Sequence, residues 1–187
     1  MLPLTIPNIL TLLRIVLVPV IVVALLEETP NADTVAAVVF AFAAFTDGLD
    51  GYIARSRNSI TTFGKLMDPL ADKLLIIAPL ISLVSLDRIA PWVAMVIIAR
   101  ELAVTMLRIV AAERGVVIPA SMLGKAKTIL QVAAIFAVIA FQGSAAVDAL
   151  LYLAVAVTVV SGADYFFGVR RHLEQARRDA SARRGGF

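Results

Sequence analysis

The chain has 187 residues, of which 60% are hydrophobic and 17% are charged, and its formal net charge is +3. Soluble domains average about 45–50% apolar and about 25% charged residues, so this composition indicates a protein embedded in lipid. The chain has no cysteine, which excludes disulfides, thiolate catalysis and cysteine-ligated zinc. Its single histidine, His172, lies in the polar C-terminal segment, so carboxylates, lysines and arginines are the remaining catalytic groups.

Six apolar runs are long enough to cross a bilayer as helices, which takes about twenty residues each. The runs are 8–26, 34–54, 66–86, 91–111, 126–142 and 146–169. Lysine and arginine are concentrated after the second, fourth and sixth runs. Because positive loops stay in the cytoplasm, this pattern predicts an all-α integral membrane protein with six transmembrane helices and cytoplasmic N- and C-termini. Residues 1–169 would be the transmembrane domain and 170–187 an Arg-rich cytoplasmic tail.

Four aspartates lie at the end of the second run and the start of the third. They belong to the pattern Asp47-x-x-Asp50-Gly51-x-x-Ala54-Arg55, eight further residues, and Gly64-x-x-x-Asp68-x-x-x-Asp72. Spacings of three and four put each pair on one helix face, and the short loop lets the two pairs face each other. Four converging carboxylates suit hard cations such as Mg²⁺ or Mn²⁺. Two such ions about 3.5–4 Å apart would clamp a transferring phosphoryl group.

The residues around these acids leave some questions open. Gly51 and Gly64 would allow a ligand or helix to approach the backbone closely, and Arg55 could meet a phosphate. Pro69 fits either a helix that begins at Asp68 or one that begins near Thr61 and is kinked at the proline. A cation pathway in a divalent-cation transporter is an alternative reading of intramembrane acids, although these cluster at one face.

The whole acidic pattern resembles the signature of the CDP-alcohol phosphatidyltransferases, and no fixed position departs from it. The resemblance implies six transmembrane helices and transfer of a phosphatidyl group from a CDP-linked lipid to an alcohol, with release of CMP. It implies that Asp47, Asp50 and Asp68 bind one metal ion and that Asp47, Asp68 and Asp72 bind a second. Asp72 would also be the catalytic base. The residues implied to contact the cytidine diphosphate are Gly51, Ala54, Arg55, Gly64 and, more weakly, Thr61.

Flanking segments resemble those of the bacterial phosphatidylglycerophosphate synthases within this family. These segments are Ile6–Arg14, Phe63–Lys73, Ala99–Leu102 and Gly124–Thr128. The resemblance implies CDP-diacylglycerol as donor, sn-glycerol 3-phosphate as acceptor, and a multi-pass protein of the inner (cytoplasmic) membrane with its active site facing the cytoplasm. It adds Asn8 and Thr11 as candidates for the CDP site, against the alternatives of a helix cap and a core hydroxyl. A homodimer is expected from the family alone, and no nucleic-acid partner is expected.

Four bases are candidates for binding the phosphate of the acceptor: Arg100, Arg108, Lys125 and Lys127. Arg100 and Arg108 are eight residues apart, about two turns, and therefore share a helix face. Arg100 lies within its run and should not face lipid. An acceptor such as serine would not need so many bases, whereas inositol phosphate remains an alternative.

Each of these bases also has a plainer explanation. Arg108 could reach the membrane interface along its aliphatic stem, and the two lysines could be topology charges. Arg100 could form a buried pair with Asp164 or with Glu101 in a second copy of the chain. Glu101 is expected on a different helix face from Arg100, where it would orient a neighbouring helix.

Overall fold

The structure is a computed structural model that describes residues 6–27, 29–57, 62–113 and 122–184, with side chains described for 8–27, 29–47, 67–113 and 122–171. Within these ranges the chain forms six helices and no strand, so the all-α prediction is confirmed. The helices are α1 (Ile6–Leu26), α2 (Ala32–Arg57), α3 (Thr62–Ser85), α4 (Pro91–Glu113), α5 (Met122–Ala140) and α6 (Ala145–Arg184).

Each helix covers one of the predicted apolar runs to within a few residues, with two instructive differences. α3 begins at Thr62, so Pro69 lies inside the helix, as the second of the two alternatives requires. α6 continues without a break past 169 to Arg184, so the Arg-rich segment extends the last helix. Arginine and alanine are strong helix formers, which accounts for the continuation.

The helices pack around α1, α2 and α5. α1 contacts α2 and α3, α5 contacts α6 and α2, and α4 contacts α6. Small side chains allow this close approach: Ala36 and Ala43 of α2 are fully buried on either side of Phe40. Large apolar side chains such as Phe45, Met95 and Phe167 instead cover the outside of the bundle.

Three helices of the described part are long and apolar enough to cross a membrane, judged by length and composition. They are α1 from Asn8 to Leu26, α5 along its whole length, and α6 from Ala145 to Arg171. α2, α3 and α4 carry most of the charged residues that the sequence analysis singled out, including Asp47, Asp72 and Arg100.

An ion pair closes the end of the bundle opposite to the aspartates. Arg88, between α3 and α4, donates from Nη1 and Nη2 to the two carboxylate oxygens of Asp33 at 2.6 and 3.2 Å. Gln142, after α5, donates to the same carboxylate at 2.6 Å. These contacts fix the start of α2 to two loops. Asp47 lies near the opposite end of the same helix.

Candidate active site

One face of α1 carries three polar side chains among apolar ones. Asn8, Thr11 and Arg14 are three residues apart, so they lie along one side of the helix. Their exposed fractions are only 4%, 0% and 1%. A buried guanidinium requires paired acceptors, and α1 packs against the two helices that carry the acidic motif.

Arg14 joins α1 to aspartates on both of those helices. Its Nη1 lies 2.9 Å from Oδ1 of Asp47 in α2 and also donates a hydrogen bond to Oδ1 of Asp72 in α3. One turn earlier in α1, the hydroxyl of Thr11 donates to Oδ1 of Asp68. Three aspartates from two helices therefore contact α1.

The three aspartates form a site with excess negative charge. The charges of Asp47 and Asp68 repel that of Asp72, whereas the charge of Arg14 attracts it. The side chains of Asp47 and Asp72 are 36% and 46% exposed, so the site is open on one side. One guanidinium does not neutralise three carboxylates, and the oxygen donors are those that a hard cation prefers.

Other predicted motif residues lie outside the described side chains. Asp50, Gly51, Ala54 and Arg55 occupy the last turns of α2, Gly64 occupies the first turn of α3, and Thr61 is outside the described residues altogether. Among the side chains that are described, no three acidic or histidine residues are placed so that they could hold a metal ion. The metal ligands therefore stay a prediction, which the charge and donor type of the three visible aspartates fit.

A second, mixed cluster lies between α4 and α5. Oε1 of Glu101 accepts hydrogen bonds from Nη1 of Arg100, at 3.2 Å, and from the ammonium of Lys127. The side chains of Arg100 and Lys127 are only 13% and 6% exposed. Lys73 of α3 is near enough for its charge to repel that of Lys127, so the cluster adjoins the helix of the acidic site. Two cations share one carboxylate, which leaves net positive charge.

These contacts define the surroundings of Glu101. Arg100 and Glu101 are adjacent and therefore lie about 100° apart around α4, yet their side chains are long enough to meet at 3.2 Å. Glu101 does link α4 to a neighbouring helix, through Lys127 of α5. The acidic partner of Arg100 among the described residues is thus Glu101 of the same chain.

The other two candidate phosphate ligands do not share these hydrogen bonds. The guanidinium carbon of Arg108 lies 5.8 Å from the ring centroid of Tyr165 in α6, a cation–π arrangement. Lys125 is exposed, and it lies two positions before the buried Lys127, which places it about 200° away around the helix. The structure brings Arg100 and Lys127 together and leaves Lys125 on another face.

The sequence also matches a known protein family. The model of the family described as CDP-alcohol phosphatidyltransferase matches residues 4–160. The chain belongs to this family. It therefore is a phosphatidyltransferase, as its acidic signature indicates.

Two bacterial relatives of this phosphatidyltransferase match along most of their length, and a plant relative matches along about half of its length. It is 43% identical over 181 residues to the CDP-diacylglycerol–glycerol-3-phosphate 3-phosphatidyltransferase of Bacillus subtilis, covering 86% of this chain and 92% of that protein. It is also 43% identical over 180 residues to a probable phosphatidylglycerophosphate synthase of Mycobacterium tuberculosis, covering 93% of this chain and 86% of that protein. A cardiolipin synthase (CMP-forming) of Oryza sativa is 37% identical over 174 residues, covering 84% of this chain and 53% of that protein.

Several residues of this phosphatidyltransferase were missed as parts of the site. Arg14 is not among the site residues predicted from the sequence, although the regular spacing from Asn8 through Thr11 to Arg14 is a signal for one buried polar face. Ser161 and Gly162 of α6 contact Arg100, and no sequence signal singles them out among the other small residues of that helix.

Proposed function

We propose that the protein transfers the phosphatidyl group of CDP-diacylglycerol to sn-glycerol 3-phosphate and forms phosphatidylglycerol phosphate and CMP. The complete acidic motif and the family membership support the donor. The observation that carries the acceptor is the pair of buried cations, Arg100 and Lys127, that share the single carboxylate of Glu101. A buried site with net positive charge favours an acceptor that brings its own phosphate.

The acidic cluster would hold two Mg²⁺ or Mn²⁺ ions through Asp47, Asp50, Asp68 and Asp72. When bound, the ions would supply positive charge to the diphosphate of the donor and to the departing CMP. Arg14 would hold the carboxylates of Asp47 and Asp72 close to each other in this arrangement, because it contacts both of them.

Asp72 is proposed as the base. Its side chain is 46% exposed, so an acceptor can reach it. It would take the proton of the 1-hydroxyl of glycerol 3-phosphate while that oxygen attacks the phosphorus next to the diacylglycerol. The new phosphorus–oxygen bond forms as the bond from phosphorus to the oxygen of CMP breaks.

The two substrates would occupy opposite sides of this base. Gly51, Ala54, Arg55, Gly64 and Thr61 are proposed for the cytidine diphosphate, with Asn8 nearby. Thr11 donates to Asp68, so we assign it to holding that carboxylate rather than to nucleotide binding. Arg100 and Lys127 would bind the acceptor phosphate, with Arg108 further along α4. We leave Lys125 out of this site because it is exposed on another face of α5.

The proposed setting is the cytoplasmic face of the inner membrane. Six transmembrane helices with both termini in the cytoplasm would put the acids and the bases at headgroup depth, where a lipid donor and a water-soluble acceptor can meet. Residues 1–169 would form the catalytic domain and 170–187 a tail that contacts anionic lipid. We expect a homodimer.

An acceptor panel tests the proposal. Purified protein in detergent micelles is given CDP-diacylglycerol and Mg²⁺, and CMP release is followed with glycerol 3-phosphate, inositol phosphate, serine or no acceptor. We expect rapid release only with glycerol 3-phosphate, and no release after chelation with EDTA. Release that prefers inositol phosphate would change the acceptor, and release that survives EDTA would remove the metal mechanism. Metal uptake into sealed vesicles without CMP release would favour a transporter.

A further inference from the structure

The guanidinium of Arg100 is held from α6 as well as from its own helix. Nη2 of Arg100 donates a hydrogen bond of 2.9 Å to the hydroxyl of Ser161, and Nη1 donates to Glu101. Ser161 is fully buried. Two fixed contacts at the two terminal nitrogens set the plane of the guanidinium, and they leave its Nε buried without a hydrogen-bond partner among the described residues.

Gly162, the next residue of α6, lies under the aliphatic part of the same arginine. A Cβ atom placed on Gly162 would come 3.1 Å from Cγ of Arg100 and 3.8 Å from its Nε. That approach is too close to be accommodated without movement of the arginine stem. Gly168, six residues further along the same helix, would meet no atom within 4 Å if it carried a Cβ. The lack of a side chain therefore matters at one of these glycines and not at the other.

Small movements of a guanidinium have large consequences for phosphate binding. Its donors form a planar fork that matches two phosphate oxygens only in a narrow range of orientations. A misplacement of a binding group by about 1 Å can cost about a hundredfold in rate. A displaced Arg100 would keep its charge and lose part of this match.

We propose that Ser161 and Gly162 of α6 are positioning residues for the acceptor phosphate, because together they fix where Arg100 directs its guanidinium. This inference rests on the proposed role of Arg100 in binding glycerol 3-phosphate. It assigns to α6 a part in acceptor recognition, next to α4 and α5. The donor side of the site, on α1, α2 and α3, does not depend on it.

Steady-state kinetics of matched glycine variants test this proposal. Gly162→Ala should raise the KM for glycerol 3-phosphate by roughly fivefold to tenfold, while kcat and the KM for CDP-diacylglycerol change by less than about twofold. Gly168→Ala gains the same helix propensity and should leave all three constants within about twofold of the parent. Ser161→Ala removes only the hydrogen bond to Arg100 and should raise the same KM by roughly threefold to tenfold.

A double-mutant cycle separates positioning of Arg100 from a general packing effect. Arg100→Ala alone should raise the KM for glycerol 3-phosphate by at least about tenfold. If Gly162 acts through Arg100, Gly162→Ala should add no further increase in the Arg100→Ala background.

The outcomes distinguish two failures. An unchanged KM for glycerol 3-phosphate in Arg100→Ala would remove Arg100 from the acceptor site, and the proposed binding role would fail with it. A raised KM in Arg100→Ala together with unchanged values in Ser161→Ala and Gly162→Ala, or an equal added effect of Gly162→Ala in both backgrounds, would overturn the positioning role alone. If Gly162→Ala does not fold in detergent, Ser161→Ala and its cycle with Arg100→Ala decide the question in the same way.

Discussion

Replacing Arg14 by alanine removes a basic side chain that contacts two aspartates of the motif. Arg14 is 1% exposed, and its Nη1 contacts both Asp47 and Asp72. In the variant these carboxylates repel each other and Asp68 without the attraction of the Arg14 guanidinium. We therefore expect a folded protein that is less stable and more dependent on added cations.

The magnitude follows from how buried the partners are. Breaking a wholly buried ion pair costs about 3–5 kcal/mol, because the remaining charge has no compensation. Asp47 and Asp72 are 36% and 46% exposed, so water can screen them in the variant and the cost is lower. We expect a loss of about 2–3 kcal/mol, which in a chain of this length corresponds to a thermal midpoint lower by roughly 4–12 °C.

The assay is thermal unfolding in detergent with and without Mg²⁺. A divalent cation that binds the aspartates should stabilise Arg14→Ala more than the parent protein and restore much of the loss. Arg88→Ala is the matched control, because it breaks a bidentate pair with Asp33 at the opposite end of the bundle. It should lower the midpoint without gaining extra stabilisation from Mg²⁺.

Two results would refute this reasoning. An unchanged midpoint in Arg14→Ala would mean that the guanidinium does not balance the aspartates. Equal stabilisation of Arg14→Ala and Arg88→Ala by Mg²⁺ would mean that the ion acts elsewhere than at the acidic cluster.

Three further predictions concern the reaction and its acceptor. Asp72→Asn should lower kcat for CMP release by about 10²–10⁴-fold while CDP-diacylglycerol still binds, and near-normal turnover would exclude Asp72 as the base. Lys127→Ala should raise the KM for glycerol 3-phosphate by at least about tenfold, whereas Lys125→Ala should change it by less than about twofold; equal effects would show that burial does not separate the two lysines. Glu101→Gln removes the carboxylate that Arg100 and Lys127 share, so the thermal midpoint should fall. Glycerol 3-phosphate should then raise the midpoint more in this variant than in the parent protein. An equal rise in both proteins would argue against phosphate binding at this cluster.

Hydropathy was enough to locate the helices because each one is an apolar run of nearly the right length. The start of α3 is the boundary that hydropathy leaves open. Pro69 is compatible with the first turn of a helix and with a kinked interior, and only the observed start of α3 at Thr62 decides between them. The apolar run ends near 169 but α6 continues to Arg184, since a change from apolar to charged residues marks an interface and not a helix end.

In the candidate site, spacing within one helix can be predicted from the sequence, whereas contacts between helices cannot. Spacing predicts that Asp47 pairs with Asp50 and Asp68 with Asp72 on one face of each helix, because helical periodicity is a local property. It could not predict that Arg14 lies between two of them, since that depends on how α1 packs against α2 and α3. The contact of Gly162 with Arg100 likewise depends on how α4 crosses α6, and nothing local distinguishes this glycine from Gly168.

The measurement that tests the central claim most directly is the identity and amount of the lipid product. Purified protein is incubated with CDP-diacylglycerol, glycerol 3-phosphate and Mg²⁺, and phosphatidylglycerol phosphate and CMP are quantified together by mass spectrometry. We predict that the two products form in equal amounts and that both disappear in Asp72→Asn. CMP formed without phosphatidylglycerol phosphate would contradict the account, because the phosphatidyl group would then be going to another acceptor.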